Sequence, residues 1–400
     1  MIDITKHRFL QYFLFSSLYF SEGFKWSIAV VILPVYFDEI GISPTVLGII
    51  VSIVSLPMII KFVFGGVVDH YIKFGRKRFV LVGGLTAAIS MFIVGLIDPS
   101  TALIPFTLIF FISVCGIGFL DVSADAWAIE VAREDERGKI NGVMFAGLFI
   151  GMSVGSLFLT QIASSFGYSF VFFITSFVVI VTIIFPIMVK EVRKIKVEKQ
   201  KVGQLLIKEF RRKAIQIFSV FAPISAISGG IVILIAPLYM LNVLNLDKTQ
   251  VGLIAMAFPL ANIVGCLFWG CLADKLKRKN TMYIVLFGGL VFTALLVFAT
   301  SWQSFALLYG IIGFFFGGYY AVGCALIMDV TNPLIAASQF SIITAFFNLG
   351  ELGIGHSISG IMVESLGFER VFLYSAVFYG ISILIFYFFR VEKQKVKQIT

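Results

Sequence analysis

The chain has 400 residues, of which 59% are hydrophobic and 13% charged, with 45 Phe and a formal net charge of +9. Soluble domains carry about 25% charged residues, so this composition excludes a water-soluble globular fold and makes the bilayer the solvent. A basic balance can also signal nucleic acid, but here the positive charge is distributed to meet lipid headgroups.

Residues 1–8 are polar and basic, and the apolar stretch that follows runs well past signal-peptide length without a small-residue cleavage site. That pattern predicts a retained first helix. Runs long enough to cross ~30 Å of hydrocarbon at 1.5 Å per residue lie at 9–35, 45–68, 79–96, 103–131, 140–164 and 169–189. The pattern repeats at 214–242, 250–273, 282–300, 305–329, 336–362 and 371–389. The expectation is an all-α integral membrane protein of twelve transmembrane helices, spans 1–12, in two pseudo-symmetric six-helix bundles. Residues 1–189 form the first bundle, 190–213 a basic linker, and 214–400 the second bundle with its tail. Within the linker, Val202, Leu205, Leu206 and Phe210 approach helical spacing. This fits either an interfacial amphipathic helix or a solvated charged connection.

Lys and Arg fix the orientation. Of 31 such residues, only Lys248 and Arg370 fall in the loops opposite the termini, and Lys25 and Lys61 lie within spans. The rest sit on the side of the termini, so both termini are expected in the cytoplasm, with the protein in the cell membrane. The four cysteines form no Cys-x-x-Cys pair and read as small core residues.

A short passage occurs twice, about half the chain apart. Gly65 to Asp69 leads through His70–Phe74 into Gly75, Arg76, Lys77 and Arg78, and Gly270 to Asp274 leads directly into Lys275–Lys279. Each copy closes a span. With twelve spans in two sets of six, this resembles the major facilitator superfamily over essentially the whole chain. The second copy carries Lys277 where the family usually has Gly, and the first has three extra residues before Gly75. The longer form resembles the muropeptide-permease and acetyl-CoA-transporter branch. So do Leu56, Pro57, Lys61 and Phe62 on span 2, Asp121, Asp125, Ala126 and Trp127 on span 4, and the stretch from Asp329 to Phe340.

The resemblance implies a secondary transporter working by alternating access, a monomer without cofactor or metal. Its central cavity would be lined by spans 1, 4, 7 and 10, and its substrate a muropeptide-like or other polar anionic solute. It also implies a cytoplasmic gate built on Gly65, Asp69, Gly75, Arg76, Lys77, Arg78, Asp274 and Arg278, latching helix ends in the outward-open state. The carboxylate of Asp69 beside Arg76–Arg78 can also cap a neighbouring helix N-terminus. Glu130 is expected to brace Arg137 or Arg76–Arg78, and Asp329 occupies its place in the repeat. The acidic run Glu134–Glu136 before Arg137 resembles the family's 4–5 loop. Basic loops on one side would also follow from topology alone.

Charges inside the membrane are functional candidates by default, because each costs about 2.5–3.5 kcal/mol at a lipid-facing helix centre. Glu22 and Lys25 are three apart on span 1 and can pair. Asp121 and Asp125 are four apart on span 4, and two carboxylates so close resist ionising together, the property a proton-coupling site needs. With Lys61 the cluster holds three acids against two cations, and the surplus acid is where a proton can ride. Asp121, Asp125, Glu22 and, on span 11, Glu351 are therefore the coupling candidates. Lys25, Lys61, Trp127 and Asn348 are the substrate-binding candidates, the lysines as anion handles. The alternative is that these charges only cross-brace spans 1, 2 and 4. Glu351 and His356 are five apart and do not share a face; a lone intramembrane His reads as a satisfied packing residue.

Gly147, Gly151 and Gly155 make a small-residue face on span 5 for close helix contact. Drug/proton antiporters of the superfamily follow the second Gly with Pro, and here Met152 stands instead, which disfavours efflux. No Gly-x-x-x-x-Gly-Lys-Ser/Thr, metal or nucleophile constellation is present, so neither an enzyme nor an ATP-driven pump is expected. The expected partners are a small solute, protons and the bilayer. The remaining rivals are proton-driven efflux and a non-transporting sensor or scaffold with the same fold.

Overall fold

A computed structural model describes residues 7–132, 137–191, 202–332 and 335–390. The acidic run Glu134–Glu136, the side chain of Arg137, residues 192–201 of the linker, Pro333 and the tail from 391 lie outside the described residues.

The described chain is helical almost throughout. Eleven helices are long and apolar enough to cross a membrane: Arg8–Glu39, Pro44–His70, Arg76–Val94, Leu103–Val131, Lys139–Phe166, Tyr168–Met188, Lys213–Asn242, Lys248–Leu276, Arg278–Phe298, Trp302–Val330 and Phe368–Tyr387. They are spans 1–10 and 12. The eleventh expected span is helical without a break, as Ala336–Asn348, the π-helix Leu349–Gly355 and His356–Leu366, but it is not among the eleven. It carries Gln339, Asn348, Glu351 and His356, all polar and all at positions that pack inside the protein. Most spans begin a few residues earlier than the hydropathy suggests. The basic residues expected in the loops (Arg76–Arg78 and Arg278, Lys279) are instead the first turns of spans 3 and 9.

Local chemistry sets several helix starts. Ser43 accepts from the Val46 N–H ahead of Pro44, and Asp247 with Gln250 forms a capping box. Ser301 with Ser304 makes the same reciprocal bonds at span 10. Among the described residues, six have positive φ, and they fall into three matched pairs. Gly41 (73°) and Asn245 (52°) close spans 1 and 7, Gly75 (85°) and Lys277 (72°) precede spans 3 and 9, and Gly167 (85°) and Gly367 (81°) precede spans 6 and 12. The internal repeat therefore persists in backbone conformation where the sequence has replaced Gly with Asn or Lys.

Within the first half, span 1 packs on span 5, and span 3 on spans 4 and 6; within the second, span 8 packs on span 10 and span 7 on span 12. The glycine face of span 5 is what brings span 1 so close. A Cβ at Gly147 would lie 2.4 Å from the Ser16 carbonyl oxygen, and one at Gly151 2.1 Å from that of Phe20. Small residues allow this backbone approach where lipid offers no hydrophobic drive between helices.

The halves meet chiefly through span 2 against span 11 and span 5 against span 8. The bonds across this seam run from mid-membrane to the end away from the termini: Asn348 to the Met58 carbonyl (3.0 Å), Ser52 to the Gly353 carbonyl (2.9 Å), Ser357 to Ser52 (2.8 Å) and the Thr45 N–H to Glu364 (3.1 Å). At that distal rim Lys248 pairs with Glu39 (2.8 Å), which also accepts from Tyr168 (2.8 Å), and Asn242 donates to Asp38 (2.9 Å). At the basic end the ion pairs among the described residues run inside each half. Among the described residues, the hydrogen bonds and ion pairs that join the halves thus lie from mid-membrane to the distal rim.

Candidate functional site

Span 1 has a polar face in its middle third, because Tyr19 and Glu22 are one turn apart and Lys25 follows one turn later. Span 2 breaks at Ile60, so Lys61 opens a second helical segment. It stands ~14 Å from the basic end of the span at 1.5 Å per residue. Span 4 brings Asp121 and Asp125 to the same depth.

Three of these elements converge. Lys61 Nζ lies 2.9 Å from Asp121 Oδ2, with the aspartate 3% and the lysine 24% exposed. The Tyr19 hydroxyl donates to Asp125 Oδ1. Glu22 is buried, and its Oε2 has no hydrogen-bond partner among the described residues. This cluster therefore holds one ion pair, one carboxylate held by a tyrosine, and one carboxylate with an unfilled oxygen.

Several expectations need correction. Glu22 and Lys25 form no ion pair: Lys25 turns instead over the Phe110 ring, 5.4 Å from its centroid. It borders a narrow cavity with Trp26, Ala29, Val114 and Ile117. Helical spacing permits the Glu22–Lys25 pair but does not choose between it and an aromatic face on span 4. Trp127 is fully buried, edge-to-face on Phe15, and its Nε1 has no hydrogen-bond partner among the described residues. Asn348 is occupied by the Met58 carbonyl across the seam. His356 is buried, and neither ring nitrogen has a partner among the described residues, so it is not the satisfied packing residue expected. Glu351, on the π-helical part of span 11, is buried and accepts from the Tyr320 hydroxyl.

The repeated hairpins form parallel ion triads. Arg76 lies 2.7 Å from Asp69 and 3.0 Å from Glu130. Arg278 lies 2.6 Å from Asp329 and 3.8 Å from Asp274. Asp69 and Asp274 are largely exposed. The helix cap expected of Asp69 comes instead from Glu191, at the end of span 6, which accepts from the Lys77 N–H at 3.2 Å. Gly75 has a φ of 85°, the left-handed region that favours Gly, and a Cβ there would lie 2.2 Å from that carboxylate, which would have to shift. Lys77 Nζ adds bonds to the carbonyls of Ile187 (3.0 Å) and Val189 (2.7 Å). Gly65 sits against the Val122 side chain and leaves span 2 close to span 4. Arg78 is exposed in the first turn of span 3.

Sequence reasoning missed Tyr19, Glu191 and the distal clasp of Glu39, Tyr168 and Lys248, and it weighed Tyr320 only for stacking or packing, not as the partner of Glu351. Tyr19 alone had a local signal, its position one turn before Glu22. Among the described residues, no group of three His, Cys, Asp or Glu could hold a metal ion.

The family profile described as "Major Facilitator Superfamily" matches residues 15–233 and 218–400. A proton-coupled antiporter flippase, LtaA of Staphylococcus aureus (strain USA300), is 26% identical over 270 residues, 66% of this chain and 65% of that protein. The match thus spans less than two thirds of the relative's length. Among solved structures, the nucleoside transporter NupG aligns with a TM-score of 0.78 at 15% identity, over 94% of this chain and 99% of that one. A bacterial homologue of the human lysosomal transporter Spinster, in an inward-facing and unoccupied conformation, aligns at 0.76 with 13% identity over 95% of both chains.

Proposed function

This chain belongs to the major facilitator superfamily, a family of secondary transporters and not of enzymes, and from that premise we propose that it couples proton movement to uptake of a small polar anionic solute. The observation that carries this reading is the buried cluster of Lys61, Asp121, Asp125, Tyr19 and Glu22. Residues 1–189 and 214–400 act as the two rocking halves, with 190–213 as their link. The basic end, with both termini, faces the cytoplasm of the cell membrane, as the positive-inside rule requires. The chain works as a monomer.

The coupling follows from competition at one cation. Lys61 is the partner of Asp121 and, being partly exposed, can also reach an anion in the central path. When the solute's anionic group takes Lys61, Asp121 is left buried without a countercharge, a state far costlier than its neutral form. Asp121 then takes a proton, so solute and proton bind together and leave together. Asp125, held by Tyr19, is the adjacent acid through which the proton passes. Glu22 and Glu351 are further coupling candidates. Lys25, beside its narrow cavity, is a second anion handle, and muropeptide-like solutes are the class favoured by the motifs on spans 2, 4 and 10–11. Trp127 supports the path through packing, and Asn348 becomes available to solute only when the seam opens. The triads of Asp69, Arg76 and Glu130 and of Asp274, Arg278 and Asp329, together with Gly65, Gly75, Lys77, Arg78 and Arg137, form the cytoplasmic gate.

A second reading, proton-driven antiport outward, is favoured by the likeness to the antiporter flippase. The two differ in sign, because antiport requires solute and proton to compete, whereas sharing of Lys61 makes them cooperate.

The test is uptake into proteoliposomes with an imposed pH gradient, over a panel of anionic solutes that includes muropeptides. Uptake driven by an acidic exterior, lost in Asp121→Asn and Asp125→Asn, supports symport. Solute binding that weakens on acidification supports antiport, and indifference of every solute to the gradient and to both variants refutes coupling.

A further inference from the structure

Among the described residues, Glu351 has no counterpart to Lys61. It is 8% exposed and its one hydrogen-bond partner among the described residues is the Tyr320 hydroxyl. The titratable groups facing it are Tyr319 and Tyr320 on span 10 and Tyr379 on span 12. His356 follows one turn along its own span. The facing stretch of span 7, residues 223–231, and span 2 as far as Met58 bring no titratable side chain. Lys61, just beyond, is taken by Asp121. A carboxylate so placed has no cation to offset its charge.

The backbone around it is unusual as well. Glu351 sits in the π-helical run Leu349–Gly355, a conformation that concentrates at functional sites. Gly350 and Gly355 let this run press on span 7: a Cβ at Gly350 would lie 2.0 Å from the Pro223 carbonyl oxygen, and one at Gly355 2.8 Å from that of Ile227. The same run is the inner end of the seam between the halves. Asn348, immediately before it, bonds the Met58 carbonyl; Gly353, within it, accepts from Ser52; Ser357, just after, donates to Ser52. Outward from there the backbones of spans 2 and 11 touch. A Cβ at Gly48 would meet the His356 carbonyl oxygen at 2.4 Å, and one at Gly360 the Pro44 carbonyl oxygen at 1.9 Å. The seam ends where Glu364 accepts from the Thr45 N–H.

We propose that Glu351, held by Tyr320, is a second proton-binding site, separate from the span 4 acids, whose occupancy sets whether the span 2–span 11 seam is closed. With a proton, Glu351 is a neutral hydrogen-bonded group that the closed seam can bury. Without one, it is an uncompensated buried charge, and the state that admits water, with the distal end open, is favoured. The π-helical run transmits the choice, because the residues that close the seam flank the acid on the same turn or two. Acidification therefore favours the distally closed form. This deepens the proton-coupled reading given above but does not depend on Asp121 or Asp125 being the coupling acids.

The experiment measures the distance between spin labels at two exposed distal positions, Thr101→Cys in the first half and Ser365→Cys in the second. The full chain is used, with its four native cysteines replaced, in lipid nanodiscs between pH 5.5 and 8. The open fraction should rise at least threefold from pH 5.5 to pH 8. Glu351→Gln should hold the closed distance at every pH. Glu351→Asp should retain it, and Tyr320→Phe, a milder change that guards against misfolding of the Gln variant, should displace it along the pH axis. A Glu351→Gln protein that follows the wild-type transition overturns the proposal. So does a transition that tracks sodium at fixed pH, or a Tyr320→Phe transition identical to wild type. Loss of the transition in Asp125→Asn with its retention in Glu351→Gln would place the switch in the span 4 acids and leave the transport reading standing.

Discussion

The ion pair between Lys61 and Asp121 makes a quantitative prediction. Removing one partner of a buried pair costs about 3–5 kcal/mol, because the other charge is left uncompensated. The two partners differ in exposure, 24% for Lys61 and 3% for Asp121, so the losses should be unequal. After Asp121→Asn the lysine can extend toward water, and a loss of about 1–2 kcal/mol is expected. After Lys61→Met the aspartate stays buried near two further acids, and about 3 kcal/mol is expected. The double variant leaves a neutral pair of similar volume with no buried charge uncompensated and should lose only about 1 kcal/mol. The cycle therefore predicts a coupling of about 3–4 kcal/mol. Denaturant unfolding in mixed micelles, followed by tryptophan fluorescence, measures it. Additivity of the two single losses within about 0.5 kcal/mol, or a smaller loss for Lys61→Met than for Asp121→Asn, refutes the reasoning.

Three further outcomes follow from packing and backbone. Gly151→Ala forces a Cβ to 2.1 Å from the Phe20 carbonyl oxygen and should destabilise by about 1–3 kcal/mol in the same assay, whereas Gly142→Ala, which meets nothing within 4 Å, should be neutral or better. Lys277→Gly relieves a left-handed φ of 72° and should stabilise by about 0.5 kcal/mol once added unfolded-state freedom is subtracted; the reverse change, Gly75→Lys, puts a side chain at a φ of 85° and should destabilise. Glu39→Gln removes the rim pair to Lys248, whose partners are 37% and 28% exposed; stability should change by less than about 1 kcal/mol, while labels across the distal rim should report a larger open fraction.

The helical fold was readable because a membrane span has a length and a hydropathy that no partner needs to supply. Span 4 matches its expected limits, Leu103–Val131. Span 3 does not, because its first turn is basic and is tolerated only through Glu191 and Glu130, residues far away in sequence. The repeat was visible in the duplicated hairpin but understated, since Asn245 and Lys277 keep the left-handed turns of Gly41 and Gly75 without keeping the glycine. In the candidate site, helical phase brought Asp121 and Asp125 together and left the partner of each undetermined: Lys61 from span 2 for one, Tyr19 from span 1 for the other. Phase also allowed Glu22 and Lys25 to pair, and the Phe110 face took the lysine instead. The clasp of Lys248 with Glu39 and Tyr168 joins residues from both halves, and no local pattern encodes it.

The most direct measurement compares two assays on Asp121→Asn in proteoliposomes loaded with a solute that the wild type accumulates. Equilibrium exchange asks whether the halves still rock around bound solute, and accumulation against a pH gradient asks whether a proton still rides with it. Sharing of Lys61 between Asp121 and the solute predicts that exchange survives while gradient-driven accumulation falls at least tenfold. Accumulation at the wild-type level in Asp121→Asn would contradict it.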